Sequence, residues 1–369
     1  MPASGIPPGP VYYSARMSTL FTVPWLIWLA LAGRDIPPAV AALPMAHVTE
    51  SRDGRLIVDL RSVRLPAHAM HHMVLQPPVS RIEIPSGGAV YGFRVEVVDS
   101  LGRELPKSLI HHFNVIDPEA RELFVPISHR LLAAGSETGE QRVPWLLFGH
   151  PVQAGQTLIV SAMLENPTAR SYPDARVRLV LDYTPKGRPW PFFHAYTWQM
   201  DVMFPVGDKS FDLPPGHSER WYEGSPAIPG NIVAIGGHLH DYGTELELKD
   251  VTSGKVIWHA TPVTDSTGHI VRVPIGRLFG LLHLGAHIEP SHRYRLTVRY
   301  DNPTGQVIPN GGMGVVGGLF TPDRHAVWPA VDQNDSLYRA DLRQALRLVP
   351  GAARQVGDSG AAAMPSMPM

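Results

Sequence analysis

Two histidines one residue apart, His238 and His240, sit in the run Ile235-Gly236-Gly237-His238-Leu239-His240-Asp241. On a strand, positions i and i+2 share a face, so both imidazoles can reach one ion. A soft third donor lies downstream at Met313, between Gly312 and Gly314. Two imidazoles and a thioether suit copper, Cu(I) in particular, better than zinc or magnesium. The alternative is two histidines that serve packing, in a chain with 18 His and 12 Met. A second adjacent pair, His111 and His112, would face opposite sides of a regular strand, so joint ligation there requires a β-bulge or a strand end. A third run, His68-Ala69-Met70-His71-His72-Met73, is rich in the same donors, with an edge or interface as its other use. His283, His287 and His292 read as surface or packing residues, and Asp241 and Glu245 as candidates to orient the imidazoles or, for Asp241, to start a turn.

The elements that must position these residues are strands. Leu56, Val58 and Leu60 alternate with Ile57, Asp59 and Arg61, and Tyr294, Leu296, Val298 and Tyr300 alternate with Arg and Thr. One apolar and one polar face is what a half-buried antiparallel strand requires. Gly (34) and Pro (37) are scattered through the 369 residues, which favours short strands and many turns. An internal repeat divides the chain. Leu158 to Thr168 and Tyr294 to Thr304 are each a strand running into Asn-Pro-Thr, 136 residues apart. The sequence therefore predicts an all-β protein of two tandem antiparallel β-sandwich, jelly-roll-like domains over 48–184 and 231–325. A Pro- and aromatic-rich stretch over 185–230 is either linker or the start of the second domain. Residues 326–369 carry a short helix, begun by Asp335 or Ser336, and a tail.

The ends and the composition bound the cell biology. Residues 17–33 carry no charge and follow Arg16. As a helix they reach about 25 Å, short of a hydrocarbon core of about 30 Å. Within an N-terminal segment spanning 1–47, they read as a signal peptide ending near Ala39-Val40-Ala41 or as a retained membrane anchor, a buried helix being the third option. The first two place the body of the protein in the periplasm or otherwise outside the cytoplasm, secreted or membrane-associated. With 32 basic and 33 acidic residues and no block of either sign, a nucleic-acid partner is not expected. The absence of cysteine removes disulfides, iron–sulfur clusters and thiol nucleophiles. No phosphate loop, dinucleotide fingerprint or Gly-x-Ser-x-Gly elbow is present.

Tandem β-sandwiches with His111-His112 in the first, His238-x-His240 in the second and a later Gly-Gly-Met313 resemble the copper type II, ascorbate-dependent monooxygenases. The resemblance spans roughly residues 50–325 and is remote. It implies copper as cofactor, ascorbate as electron donor and O2-dependent hydroxylation of an unassigned substrate. It implies that His238, His240 and Met313 hold the copper where O2 and substrate meet. It also implies a first-domain, electron-passing copper on His111 and His112, with Met163 where the family has a third histidine; His150 is a weaker substitute. Gly236 stands where the peptide-hydroxylating member has a substrate-clamping arginine, so a peptide substrate is not implied. The rival expectation is a non-catalytic extrinsic subunit on the same scaffold. It would dock on a membrane protein complex, with residues 17–33 on the membrane and the aromatic run from Trp190 to Trp198 either as contact surface or as packing between the domains.

Overall fold

The computed structural model describes residues 36–346, apart from 52, 70–74, 137, 189, 206–208, 267–268 and 281–282. The hydrophobic 17–33 segment and Met70 to Met73 lie outside the described residues. The chain is all-β, and its described residues belong to one compact unit. Among the described residues no helix is long and apolar enough to cross a membrane.

Two pairs of sheets make up the unit. In the first pair, the strands His47–Glu50, Arg55–Asp59, Tyr172–Pro185, Gly88–Val98, Phe148–Val152 and Phe193–His194 run side by side. They face a four-stranded sheet of Ser80–Glu83, Thr157–Leu164, Ile110–Arg121 and Ser128–Ala134. Leu56, Val58, Val97, Phe113, Val160 and Leu179, all buried, belong to the core that the two sheets share. In the second pair, Tyr196–Asp201, Ile308–Pro322, Gly230–Leu239 and Gly276–Arg277 face Gly216–Gly224, Tyr294–Asn302, Gly243–Asp250 and Val256–Ala260. Trp198, Ile235, Leu246, Leu296 and Phe320 belong to its core. Three strands between 196 and 224, within the Pro-rich stretch, are members of this second pair, while Phe193–His194 pairs with the first.

The repeat is structural to the level of single atoms. Asn166 and Asn302 are 0% and 1% exposed. Each gives its side-chain N–H2 to the carbonyl four residues on, Arg170 at 2.8 Å and Gln306 at 2.8 Å, and to a distant loop carbonyl, Pro66 at 2.7 Å and Pro214 at 3.1 Å. Each accepts from the threonine two residues later through N–H, at 3.1 Å in both, and through Oγ1, at 2.7 and 2.8 Å. A buried amide is tolerated because nearly all its hydrogen-bonding capacity is used.

The strand registers extend this equivalence. Gly88 pairs with Pro185 as Gly230 pairs with Pro322, and both ladders then slip by one residue, at Tyr91 and at Val233. On the facing sheets, Ile110 pairs with Leu164 and His112 with Met163, leaving His111 extra. Gly243 pairs with Tyr300 and Glu245 with Arg299, leaving Thr244 extra. A one-residue bulge therefore stands at the same place in both sandwiches.

The C-terminal helix Ser336–Leu346 begins on Asp335, whose Oδ1 accepts from Leu337 N at 2.7 Å. It packs back onto the first sandwich, with Tyr338 and Leu342 against Val79, Ile116 and Ile159. Arg130 and Asp341 fix it there, at 2.7 Å from Nη1 to Oδ2. Val40, inside the segment expected to end a signal peptide, is buried in the same cluster, within the short helix Pro38–Ala41.

Candidate functional site

The bulge settles how adjacent histidines can act together. Because His111 and His112 both stand opposite Met163, they turn to one side, and their ring centres are 4.2 Å apart. The Glu165 carboxylate lies 3.6 Å from His111 Nδ1. Ala162 and Leu164, on either side of Met163, are buried in the core, so Met163 points outward with the histidines. The three donors expected in the first sandwich thus meet on one patch. The described ends of the 70–74 segment flank it: Ala69 bridges to Asn166 and Leu75 to Leu164.

In the second sandwich the site lies on the other type of sheet. His238 stands opposite Val315 and Leu239 opposite Gly314, so continuing the register sets His240 beside Met313. Leu239 is buried, which turns His238, His240 and Met313 to the outer face. The glycines flanking Met313 have a packing reason. A Cβ on Gly312 would come within 2.3 Å of the Phe211 ring, and one on Gly314 within 2.4 Å of Val298. The Tyr300 hydroxyl ties the two strands together. It accepts from His240 N at 3.3 Å and Met313 N at 2.9 Å and donates to the Met313 carbonyl. Burial pushes its pKa up to about 12, so it stays a donor.

The chemistry of both sets fits a soft transition metal. An imidazole nitrogen binds such an ion at about 2.0 Å, so two rings sharing one ion have centres no more than roughly 6 Å apart. The His238 and His240 centres are 5.5 Å apart with the rings perpendicular, and His111 and His112 also meet the limit. Burial holds the His240 pKa below its ordinary value, against smaller raising contributions from hydrogen bonds to backbone at Asn310 and Gly311. A neutral ring that spends one N–H on a carbonyl presents its other nitrogen as a lone pair. Among the described residues no group of three His, Asp or Glu side chains is placed to hold a metal ion, and each of these two sets counts a methionine as its third donor.

Other histidines serve the fold. Asp241 accepts from His269 Nδ1 at 2.5 Å and Ile270 N at 2.9 Å, and its charge also acts on His240, while Glu245 takes Arg299 and His259. His287 meets Asp323 at 3.1 Å, and His292 meets Asp250 at 2.7 Å. His283 packs against Gly280. His150, pairing with Val90 in the other sheet, is not beside His111 and His112. It lies between the sandwiches against His129 and Tyr196, with Nδ1 buried and without a partner. Burial lowers its pKa to about 3. This His129–His150–Tyr196–Trp328 cluster joins the two halves and was not visible in the sequence, because its members are scattered from 129 to 328.

No family model matches the chain, and no curated protein matches it. Among solved structures it is similar to a crystal structure of tripeptidyl peptidase 2, at 12% identity and TM-score 0.19, over 74% of this chain and 24% of that one. The chain therefore spans about a quarter of the length of that relative. It is also similar to the structure of infectious bursal disease virus, Gx strain (9%, TM-score 0.18, 76% and 78%). The third is the mavirus major capsid protein (7%, TM-score 0.13, 85% and 93%). At these scores the similarities carry no functional argument.

Proposed function

We propose that this chain is an extracytoplasmic copper-binding protein of the copper-dependent monooxygenase type. The observation that carries the reading is the β-bulge that turns His111 and His112 to one side over Met163. A regular strand would have kept them apart. His238, His240 and Met313 form the second donor set, on the sheet face that Tyr300 locks. Copper, when bound, supplies one-electron redox chemistry and reaction with O2. The protein's part is to hold the imidazoles in fixed orientations and to keep the Met313 strand from drifting away from His240. Reducing equivalents would come from ascorbate or an equivalent small donor.

The test is copper per chain in protein isolated from native membranes. Two ions are expected, with one lost in His238→Ala/Met313→Ala and the other in His111→Ala/His112→Ala. No copper in a folded wild-type protein sinks the reading. Ascorbate-driven O2 uptake that disappears in His238→Ala supports turnover.

A second reading has its own support: Met163 replaces the histidine expected of the electron-passing site, and Gly236 replaces the substrate-clamping arginine. The scaffold would then serve as a non-catalytic extrinsic subunit of a membrane protein complex. Stoichiometric copurification of membrane subunits, without ascorbate-driven O2 uptake, favours it.

A further inference from the structure

Two loops leave their apolar residues in water. Trp145, Leu146, Leu147, Trp190, Phe192 and Phe193 are all exposed, Phe192 at 78%. The loops are one surface, because Phe192 N donates to Leu146 O at 2.9 Å and Phe193 N to Leu147 O at 2.9 Å. Beneath them Phe148 packs on Phe193 and Phe279, with ring centres 5.8 and 5.0 Å away. The Arg277 guanidinium covers the Phe279 ring at 4.1 Å. Trp190 is held by donation of its indole N–H to His194 Nε2 at 2.8 Å. Indole, phenyl and leucine side chains left exposed together on adjoining loops mark an interaction surface more often than a face that meets only water.

Its charge surroundings choose among occupants. From 185 to 200 the sequence contains Lys186 and Arg188 and no acid, from 266 to 288 it contains Arg272 and Arg277 and no acid, and ahead of Trp145 the acid Glu140 is paired with Arg142 at 2.7 Å. Lys186, Arg188 and Arg277 are all exposed. Indole rings beside cations, with aliphatic and phenyl groups at projecting loop tips, match a bilayer interface whose headgroups are negative.

We infer that the loops at 145–147 and 190–193 form a membrane-docking surface that inserts Trp190 and Phe192 among anionic lipid headgroups. This contact is separate from the hydrophobic 17–33 segment and independent of copper. It would hold one edge of the first sandwich against the bilayer.

The cysteine-free sequence makes the test clean. Phe192→Cys in the full chain carries a single environment-sensitive fluorophore. Leu101→Cys, in the turn that follows the far end of the Gly88–Val98 strand, is the control. With phosphatidylcholine vesicles containing phosphatidylglycerol, quenching of the Phe192 label by aqueous acrylamide is expected to fall several-fold. The Leu101 label should not change, and Lys186→Glu/Arg188→Glu should restore quenching. Equal protection by pure phosphatidylcholine overturns the anionic preference. Protection in native membranes but in neither vesicle assigns the patch to a protein partner and overturns the inference. A label already shielded without vesicles means the chain's own residues cover the patch, which overturns it too.

Discussion

Equivalent positions in the two sandwiches carry opposite chemistry. At the shared bulge the first sandwich places His111, His112 and Met163, and the second places Thr244, Glu245 and Arg299. On the facing sheets the exchange runs the other way. Where the second has His238, Val315 and Met313, the register gives Glu96, Arg178 and Arg176 in the first. Those arginines pair with Asp59, Arg178 through two bonds of 2.8 and 2.9 Å. Each sandwich thus has two places on its surface where side chains converge, one given to soft donors and the other to ion pairs. The lesson is that the backbone repeat does not dictate the chemistry. A bulge brings three side chains together whatever they are, and residue identity decides between a metal-type site and a salt bridge.

That contrast can be attacked at several points. The largest effect is expected at His150, whose equivalent by register is Ala286. With a folded pKa of about 3, this imidazole stays neutral where the unfolded chain, near 6.5, takes up a proton. Its lowered pKa contributes stability above about pH 6.5 that is lost as pH falls toward 3, by on the order of 4–5 kcal/mol. Denaturant melts across this range should show the loss, and His150→Ala should flatten it. A profile unchanged by the substitution would place the acid sensitivity elsewhere.

Next come the paired turns. Asn166→Ala and Asn302→Ala each remove a buried amide and leave the loop carbonyls and threonine donors it served without that partner, and each should cost on the order of 2–3 kcal/mol. The informative result is the ratio: unequal losses in urea titration would break the equivalence of the two turns. Tyr300→Phe should cost about 1 kcal/mol through the lost hydroxyl. It should also weaken copper binding by the second donor set several-fold and leave the first unchanged, since Leu164 stands in the equivalent place without a hydroxyl. Competitive chelator titration separates the two. The smallest stability change is expected from grafting one bulge onto the other. Thr244→His/Glu245→His/Arg299→Met removes the partly exposed ion pairs of Arg299 with Glu245 and Glu219 and of Glu245 with His259, each worth about a few tenths of a kcal/mol. It should add one copper per chain. A folded variant without the extra ion would mean that a bulge and three donors are not sufficient.

The all-β class was legible because period-two alternation survives in strands such as Tyr294–Asn302, with one buried face. The repeat was legible because the Asn-Pro-Thr turns use every polar atom of a buried amide, which leaves little room for substitution. The two His pairs were visible as residue types, but not their placement on different sheets, since register depends on slips that no local pattern encodes. The bulge at His111 was recognisable only as a requirement. The exchange of Glu96 for His238 and of Arg299 for Met163 needed both ladders, because it compares residues 142 and 136 positions apart.

The docking of Ser336–Leu346 on the first sandwich has a consequence for synthesis. Val79, Ile116 and Ile159 belong to the half of the chain made first, yet Tyr338 and Leu342, which cover them, are made almost last. The early half therefore leaves the ribosome with an uncovered apolar face and keeps it until some two hundred more residues have followed. Export before that point would carry the face across uncovered, and a nascent chain stalled after residue 330 would show it as a chaperone-binding surface that vanishes on completion.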